Sequence, residues 1–171
     1  MAQLKVSHVT KSFEGNKILE DVSIELHDHE LVGLLGISGG GKTTLFNVIS
    51  GLLVPESGQV FLDGKDITGQ PGNVSYMLQK DLLLPYRTIE DNVALPLVIK
   101  GEKKKEARKK VQPYFQEFGL ERTQKKYPSQ LSGGMRQRAA LLRTYMFSDK
   151  IALLDEPFSA LDFLTRVDMQ E

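Results

Sequence analysis

Residues 31–49 read LVGLLGISGGGKTTLFNVI, and three consecutive patterns in them decide the fold. Leu31 to Leu35 is a continuous apolar run, as expected of a strand buried on both faces. Leu45, Val48 and Ile49 recur at helical spacing, and Gly51 stands where such a helix would stop. Between them lies GISGGGKT, a glycine, four residues, then Gly-Lys-Thr. Strand, glycine loop and helix in this order predict an α/β architecture around a phosphate-binding loop. Gly36, Ser38, Gly39, Gly40 and Gly41 would let backbone N–H groups wrap a polyphosphate while the helix points its positive end at the anion. Lys42 would neutralise β- and γ-phosphate charge, Thr43 would offer its hydroxyl to magnesium, and the Thr44 backbone lies in the same helix start. The competing reading of these eight residues alone is an ordinary glycine turn, and the flanking strand and helix argue against it.

The chain has 171 residues, 40% hydrophobic and 26% charged, enough for one domain with a core and a smaller lobe. Lys+Arg and Asp+Glu both total 22, so there is no net basic field of the kind nucleic acid requires. With no cysteine there are no disulfides and no thiolate metal sites. No apolar run has the length of a membrane span and the start MAQLKVSHV lacks a signal-like stretch, so any membrane role is expected to come through a partner. His27 and His29, in HDHE, read as a solvated surface turn rather than metal ligands.

Around the loop, Leu4, Val6 and Val9, then Val22, Ile24 and Leu26, alternate as antiparallel strands with one wet face. VFLDGKDI, Val60 to Ile67, carries an Asp-Gly turn signal, and Val74, Tyr76 and Leu78 alternate as a strand ending at Gln79. From Lys80 to about Phe147 the pattern changes to helices and loops punctuated by Pro85, Pro96, Pro113 and Pro128. Within this stretch Ala107, Val111, Tyr114, Phe115 and Phe118 share a helical face behind GEKKKEARKK, a charge run read as a solvated face. A buried strand, Ile151 to Leu154, then runs directly into Asp155 and Glu156. Three segments result: 1–79 with the antiparallel strands and the phosphate loop, 80–147 helical, and 148–171 with the acidic strand end.

A strand end can fix one carboxylate near magnesium, the role expected of Asp155, while its neighbour Glu156 accepts a proton from an attacking water. LSGGMRQRAALLRT, Leu131 to Thr144, sets a second problem. Ser132 is a good N-cap, yet the first helical positions are Gly133 and Gly134, each costing up to about 1 kcal/mol relative to alanine. Such a helix start is itself an anion site without a lysine. One complete and one partial phosphate device in a single chain are hard to reconcile with one nucleotide bound by one chain.

At these residues the sequence closely resembles ABC transporter ATP-binding subunits. LSGGMRQR looks like the family's signature motif and GISGGGKTT like its Walker A loop. Phe13, in KSF, matches the aromatic that stacks on adenine, and Gln79, in YMLQ, the Q-loop glutamine that meets magnesium and the attacking water. IALLDEP, ending at Pro157, matches Walker B, and SALD, Ser159 to Asp162, the D-loop. The resemblance spans about Leu4 to Asp162. It implies an ABC-type P-loop NTPase fold, with an antiparallel β subdomain and an inserted helical subdomain. It implies ATP and Mg2+ as cofactors, with Glu156 and Gln79 catalytic and Thr43, Gln79 and Asp155 toward the metal. The nucleotide residues would be those of the loop with Phe13, Ser132, Gly133, Gly134 and Asp162. Two subunits pack head to tail in this family, so Ser132, Gly133 and Gly134 would cover the γ-phosphate held by the partner, with Gln137 and Arg138 supporting the helix end.

The resemblance further implies a subunit of an importer, peripheral to the cytoplasmic face of the membrane through a permease. DLLLPYRTIEDNVALPL, Asp81 to Leu97, would face that permease and is similar to importers of nitrate, sulfonates, taurine or thiamine precursors. The alternative is a non-transport, regulatory ABC module. The family pattern continues to a strand ending in a switch histidine, whereas the chain stops at Glu171 and His8, His27 and His29 all precede the loop. The expectation is therefore a core without its C-terminal strands, binding nucleotide weakly and turning it over slowly or not at all. HDHE replaces the family's usual Gly-Glu turn, and Phe13 its commoner tyrosine.

Overall fold

The computed structural model describes residues 3–37, 39–147 and 150–157. The chain divides into two compact units, one ending at Val74 and one beginning at Ser75.

The first unit is built on alternation. β1 (Leu4–Phe13) and β2 (Asn16–Leu26) form an antiparallel hairpin whose register sets Leu4 against Leu26, Val6 against Ile24 and Val9 against Val22. Glu14 and Gly15 turn it with φ of 50° and 80°, the positive pair that matches strand twist. β3 (Ser57–Leu62) lies antiparallel on the other side of β1, and β4 (Lys65–Asp66) returns through the expected Asp63–Gly64 turn, giving the order β2-β1-β3-β4. Leu4, Val6, Val9 and Val60 are buried, while Lys5 and Glu25 pair at 2.7 Å on a wet face. The β1–β3 register shifts between Ser7 and Thr10, where a Cβ on Gly58 would lie 2.4 Å from the His8 carbonyl oxygen.

α1 (Lys42–Ile49) buries Leu45, Val48 and Ile49, as its spacing predicts. The Ser50 N–H donates to the Phe46 carbonyl at 2.8 Å and the Gly51 N–H to that of Val48 at 3.1 Å, Gly51 taking the left-handed φ of 76° that closes a helix. The expected buried strand at residues 31–35 is not formed: the run has no regular structure, and Leu31 and Leu35 are 96% and 98% exposed. An apolar run becomes a buried strand only where neighbours supply its ladder, and among the described residues no strand pairs with it.

In the second unit β5 (Ser75–Met77) and β6 (Ala152–Leu154) pair in parallel, Ser75 opposite Ala152 and Met77 opposite Leu154. Between them in sequence come α2 (Ile89–Val93), α3 (Leu95–Ile99), α4 (Lys104–Val111), α5 (Tyr114–Glu117), a 3-10 turn at Pro128–Gln130 and α6 (Gly133–Tyr145). Their core includes Met77, Ile89, Val93, Ala107, Val111, Phe115, Leu120 and Leu142. The apolar face expected from Ala107 to Phe118 is carried by two helices rather than one, because the chain breaks at Gln112 and Pro113 and proline has no N–H to continue the ladder.

The charge run is not uniformly solvated either. Arg108 donates from Nε and Nη2 to the two Asp91 carboxylate oxygens at 2.8 and 2.9 Å, and Lys104 approaches Asp91 at 3.0 Å. Glu90, 2% exposed, receives Arg108 at 3.3 Å and Lys125 at 2.5 Å. Burying two adjacent acids on α2 is tolerable only with such partners. The Arg108 hydrogen bond, with Lys104 beside it, lowers the Asp91 carboxyl from 3.8 to about 2. Asn92, wholly buried, receives the Leu84 N–H and donates to the carbonyls of Leu84, Arg87 and Thr88, fixing the loop before α2.

Candidate functional site

In the first unit the glycine loop has the conformation that an anion cradle needs. Gly39 and Gly41 lie at φ of 79° and 85°, and a Cβ on Gly41 would meet the Ile18 carbonyl oxygen at 2.9 Å. Gly40 donates its N–H to the Ile37 carbonyl at 3.1 Å, closing a turn. Gly41 caps α1 with no side-chain hydrogen bond, so no side chain occupies the helix start. Lys42 curls back over the loop and donates from Nζ to the carbonyls of Gly36 and Ile37 at 2.7 and 2.8 Å, which stations its charge above the turn. Thr43 is exposed and Thr44 half-buried at this helix start, and Phe13, 45% exposed, closes β1 with Lys11 Nζ 5.7 Å from its ring centroid. These residues fit a nucleotide: a cation, a helix dipole, a backbone without Cβ atoms and an accessible ring. Ser38 and Asp162 lie outside the described residues.

In the second unit the parallel pair brings Gln79 and Glu156 together from 77 residues apart, Gln79 Nε2 donating to the Glu156 carboxylate at 2.7 Å. Asp155 is 7% exposed at the end of β6, its N–H bonded to the Met77 carbonyl at 3.0 Å. Burial pushes the Tyr76 phenol up to about 12, aided by the charge of Asp155 and a hydrogen bond to it. A carboxylate at this strand end is the donor type that a hard cation takes.

α6 begins as expected. Ser132 caps it, its hydroxyl accepting the Met135 N–H at 3.2 Å. A Cβ at Gly133 would meet only the end of the Arg136 side chain, at 3.9 Å, so among the described residues none crowds that position. A cleft of about 460 Å³ opens beside this helix start, bordered by Gln79, Lys80, Asp81, Leu82, Leu83, Gly133, Arg136 and Gln137.

Sequence reading missed how α6 grips both sides of this cleft. Arg136 Nε donates to the Asp81 carboxylate at 3.1 Å, and Arg143 to the carbonyls of Asp81 and Leu82 at 2.7 and 2.8 Å. Burial lowers the Arg143 pKa, with Asp81 opposing. Gln137, expected to support the helix end, donates from Nε2 to the Glu156 main-chain carbonyl at 3.2 Å. Only the seven-residue spacing of Arg136 and Arg143, two helical turns, hinted at such a face.

A phosphate loop with its lysine in place in one unit, and an acidic strand end and a glycine-fronted, serine-capped helix in the other, are marks of a nucleotide-binding cassette. The chain belongs to the ABC transporter family, whose match covers residues 19–159. It is 45% identical to the formylaminopyrimidine import ATP-binding protein ThiZ of Halalkalibacterium halodurans, over 91% of this chain and 60% of that protein. It is 40% identical to the taurine import ATP-binding protein TauB of Escherichia coli O157:H7, over 98% of this chain and 66% of that protein. The chain therefore spans under two thirds of the length of these two relatives. Among solved structures, a dimeric post-hydrolysis state of the ATP-binding cassette MJ0796 bound to ADP and Pi superposes with a TM-score of 0.84 at 31% identity, covering 95% of this chain and 77% of that one. Among the described residues no helix is long and apolar enough to cross a membrane.

Proposed function

We propose that this chain is the ATP-binding and ATP-hydrolysing part of an importer subunit, peripheral to the cytoplasmic face of a membrane through a permease. ThiZ and TauB, named for import, support that reading, and they favour a small solute as cargo. The observation that carries the chemistry is the Gln79 amide on the Glu156 carboxylate at 2.7 Å, immediately after a strand that ends in a buried aspartate. Mg2+, when bound, would screen phosphate charge. Thr43, Gln79 and Asp155 would hold it. Phe13 would stack on the adenine, and the 36–44 loop with Lys42 would bind the phosphates. Glu156 would take the proton of the attacking water, oriented by Gln79, as its oxygen bonds to the γ-phosphorus and the bond to the β–γ bridging oxygen breaks.

Ser132, Gly133 and Gly134 are assigned to the γ-phosphate on a second copy of the chain. Open space at Gly133 among the described residues supports this, since a partner's phosphate can approach the helix start there. Asp162 is assigned to the same interface. Residues 1–79, 80–147 and 148–171 carry, respectively, the phosphate loop, the signature helix and the catalytic strand end.

The test is a thermal melt with and without Mg-ATP, beside Lys42→Ala. Nucleotide at a hundredfold over its dissociation constant adds about 2.7 kcal/mol, a shift of several degrees for a domain of this size. A shift in the wild type alone is expected. Identical melts in all four samples would refute nucleotide binding by the loop, and ATP binding without association with any permease would replace import by a regulatory role.

A further inference from the structure

Glu156 is held at both ends by amide side chains. Gln79 binds its carboxylate and Gln137 its main-chain carbonyl. Glu156 sits at φ of 50°, a region that residues with a Cβ seldom occupy and that persists only where the surroundings fix it. On the strand side the Asp155 N–H to Met77 carbonyl bond fixes the chain, and on the helix side the donor is Gln137, 5% exposed on α6. The second amide is tied to the same helix. Gln79 lies two residues before Asp81, whose carboxylate and carbonyl are held by Arg136 and Arg143 of α6. One amide thus comes from α6 itself and the other from two residues before the segment that α6 holds, while the base follows β6.

We propose that Gln137 is a positioning residue for Glu156. Through its amide, α6 places the base in register with the helix end that faces the second copy's γ-phosphate. This rests on the function proposed above. A phosphate engaged by Ser132, Gly133 and Gly134 then bears on the base through one helix turn and one hydrogen bond.

Gln137→Leu keeps the bulk of the side chain and removes the donor, and Gln137→Glu adds a like charge near the base. ATP affinity, kcat as a function of pH, thermal melts and the 13C signal of the Glu156 carbonyl are measured on the full chain. The expected result for Gln137→Leu is a kcat lower by about 10²-fold, the scale of a misplaced catalytic group, with ATP affinity within about twofold. Gln137→Glu also removes the amide donor to the Glu156 carbonyl, and its kcat falls on the same scale. The Glu156 carbonyl signal shifts in both variants. Wild-type kcat in both folded variants overturns the proposal. If the wild type fails to bind ATP, or binds without turnover, the function proposed above fails in whole or in its hydrolytic step, and the 13C signal still decides this one: an unchanged Glu156 carbonyl on removal of the Gln137 amide overturns it.

Discussion

Removing the carboxylate of Asp91 tests whether the buried acids on α2 hold α4 in place. Its pKa falls from 3.8 to about 2. At about 1.4 kcal/mol per unit that is roughly 2.5 kcal/mol of stabilisation. The partners Lys104 and Arg108 have side chains 58% and 34% exposed, so solvent screening reduces the figure to about 1–2 kcal/mol. Because the folded pKa is depressed, this contribution is fully present above the unfolded value near 4. It is lost as pH falls through the folded value near 2. Urea unfolding of the wild type and Asp91→Asn between pH 7 and pH 2 measures it. The expected result is a gap of about 1–2 kcal/mol at neutral pH that closes between pH 4 and pH 2. Two curves that run parallel down to pH 2 would show that the ion pairs are decorative and refute the reasoning.

Gly58→Ala should destabilise the first unit by about 3 kcal/mol, because its Cβ would lie 2.4 Å from the His8 carbonyl at a φ of 87°. Gly64→Ala, with φ of 78° and nothing within 4 Å, should cost only about 1 kcal/mol, and equal urea midpoints for the two would contradict this account. Phe115→Ala, at a site 1% exposed in the helical core, should cost about 3–5 kcal/mol, and loss of helical circular dichroism at lower urea than in the wild type checks it.

Local chemistry was legible wherever one residue type settles one geometry. Asp63-Gly64 made the predicted turn, Gly51 stopped the predicted helix and Ser132 capped the predicted one, each through its own backbone or hydroxyl. Alternation from Leu4 to Val9 and from Val22 to Leu26 gave the hairpin and its register. What failed depends on partners distant in the chain. The run at residues 31–35 has strand composition, but a ladder is a property of pairs, and pattern alone cannot supply the second member. The charges of α4 looked solvated because Asp91 stands 17 residues before Arg108. For the same reason the Gln137 contact with Glu156, 19 residues on, left no trace in spacing. Phe115 kept its expected burial although Pro113 divided its helix, since packing constrains where a side chain ends up more tightly than how the backbone gets there.

The parallel pairing of β5 with β6 has a consequence for the order of folding. Gln79 and Glu156 are separated by 77 residues, so closing that loop in a disordered chain costs about 4 kcal/mol of entropy before any contact repays it. The pairing has only three residues on each side to repay it with. The helices α2 to α6 shorten the effective loop as they collapse onto Phe115 and Leu142, and strand pairing becomes favourable only afterwards. The carboxylate that would hydrolyse ATP therefore meets its glutamine late, once the helices that would couple it to a second copy are already built.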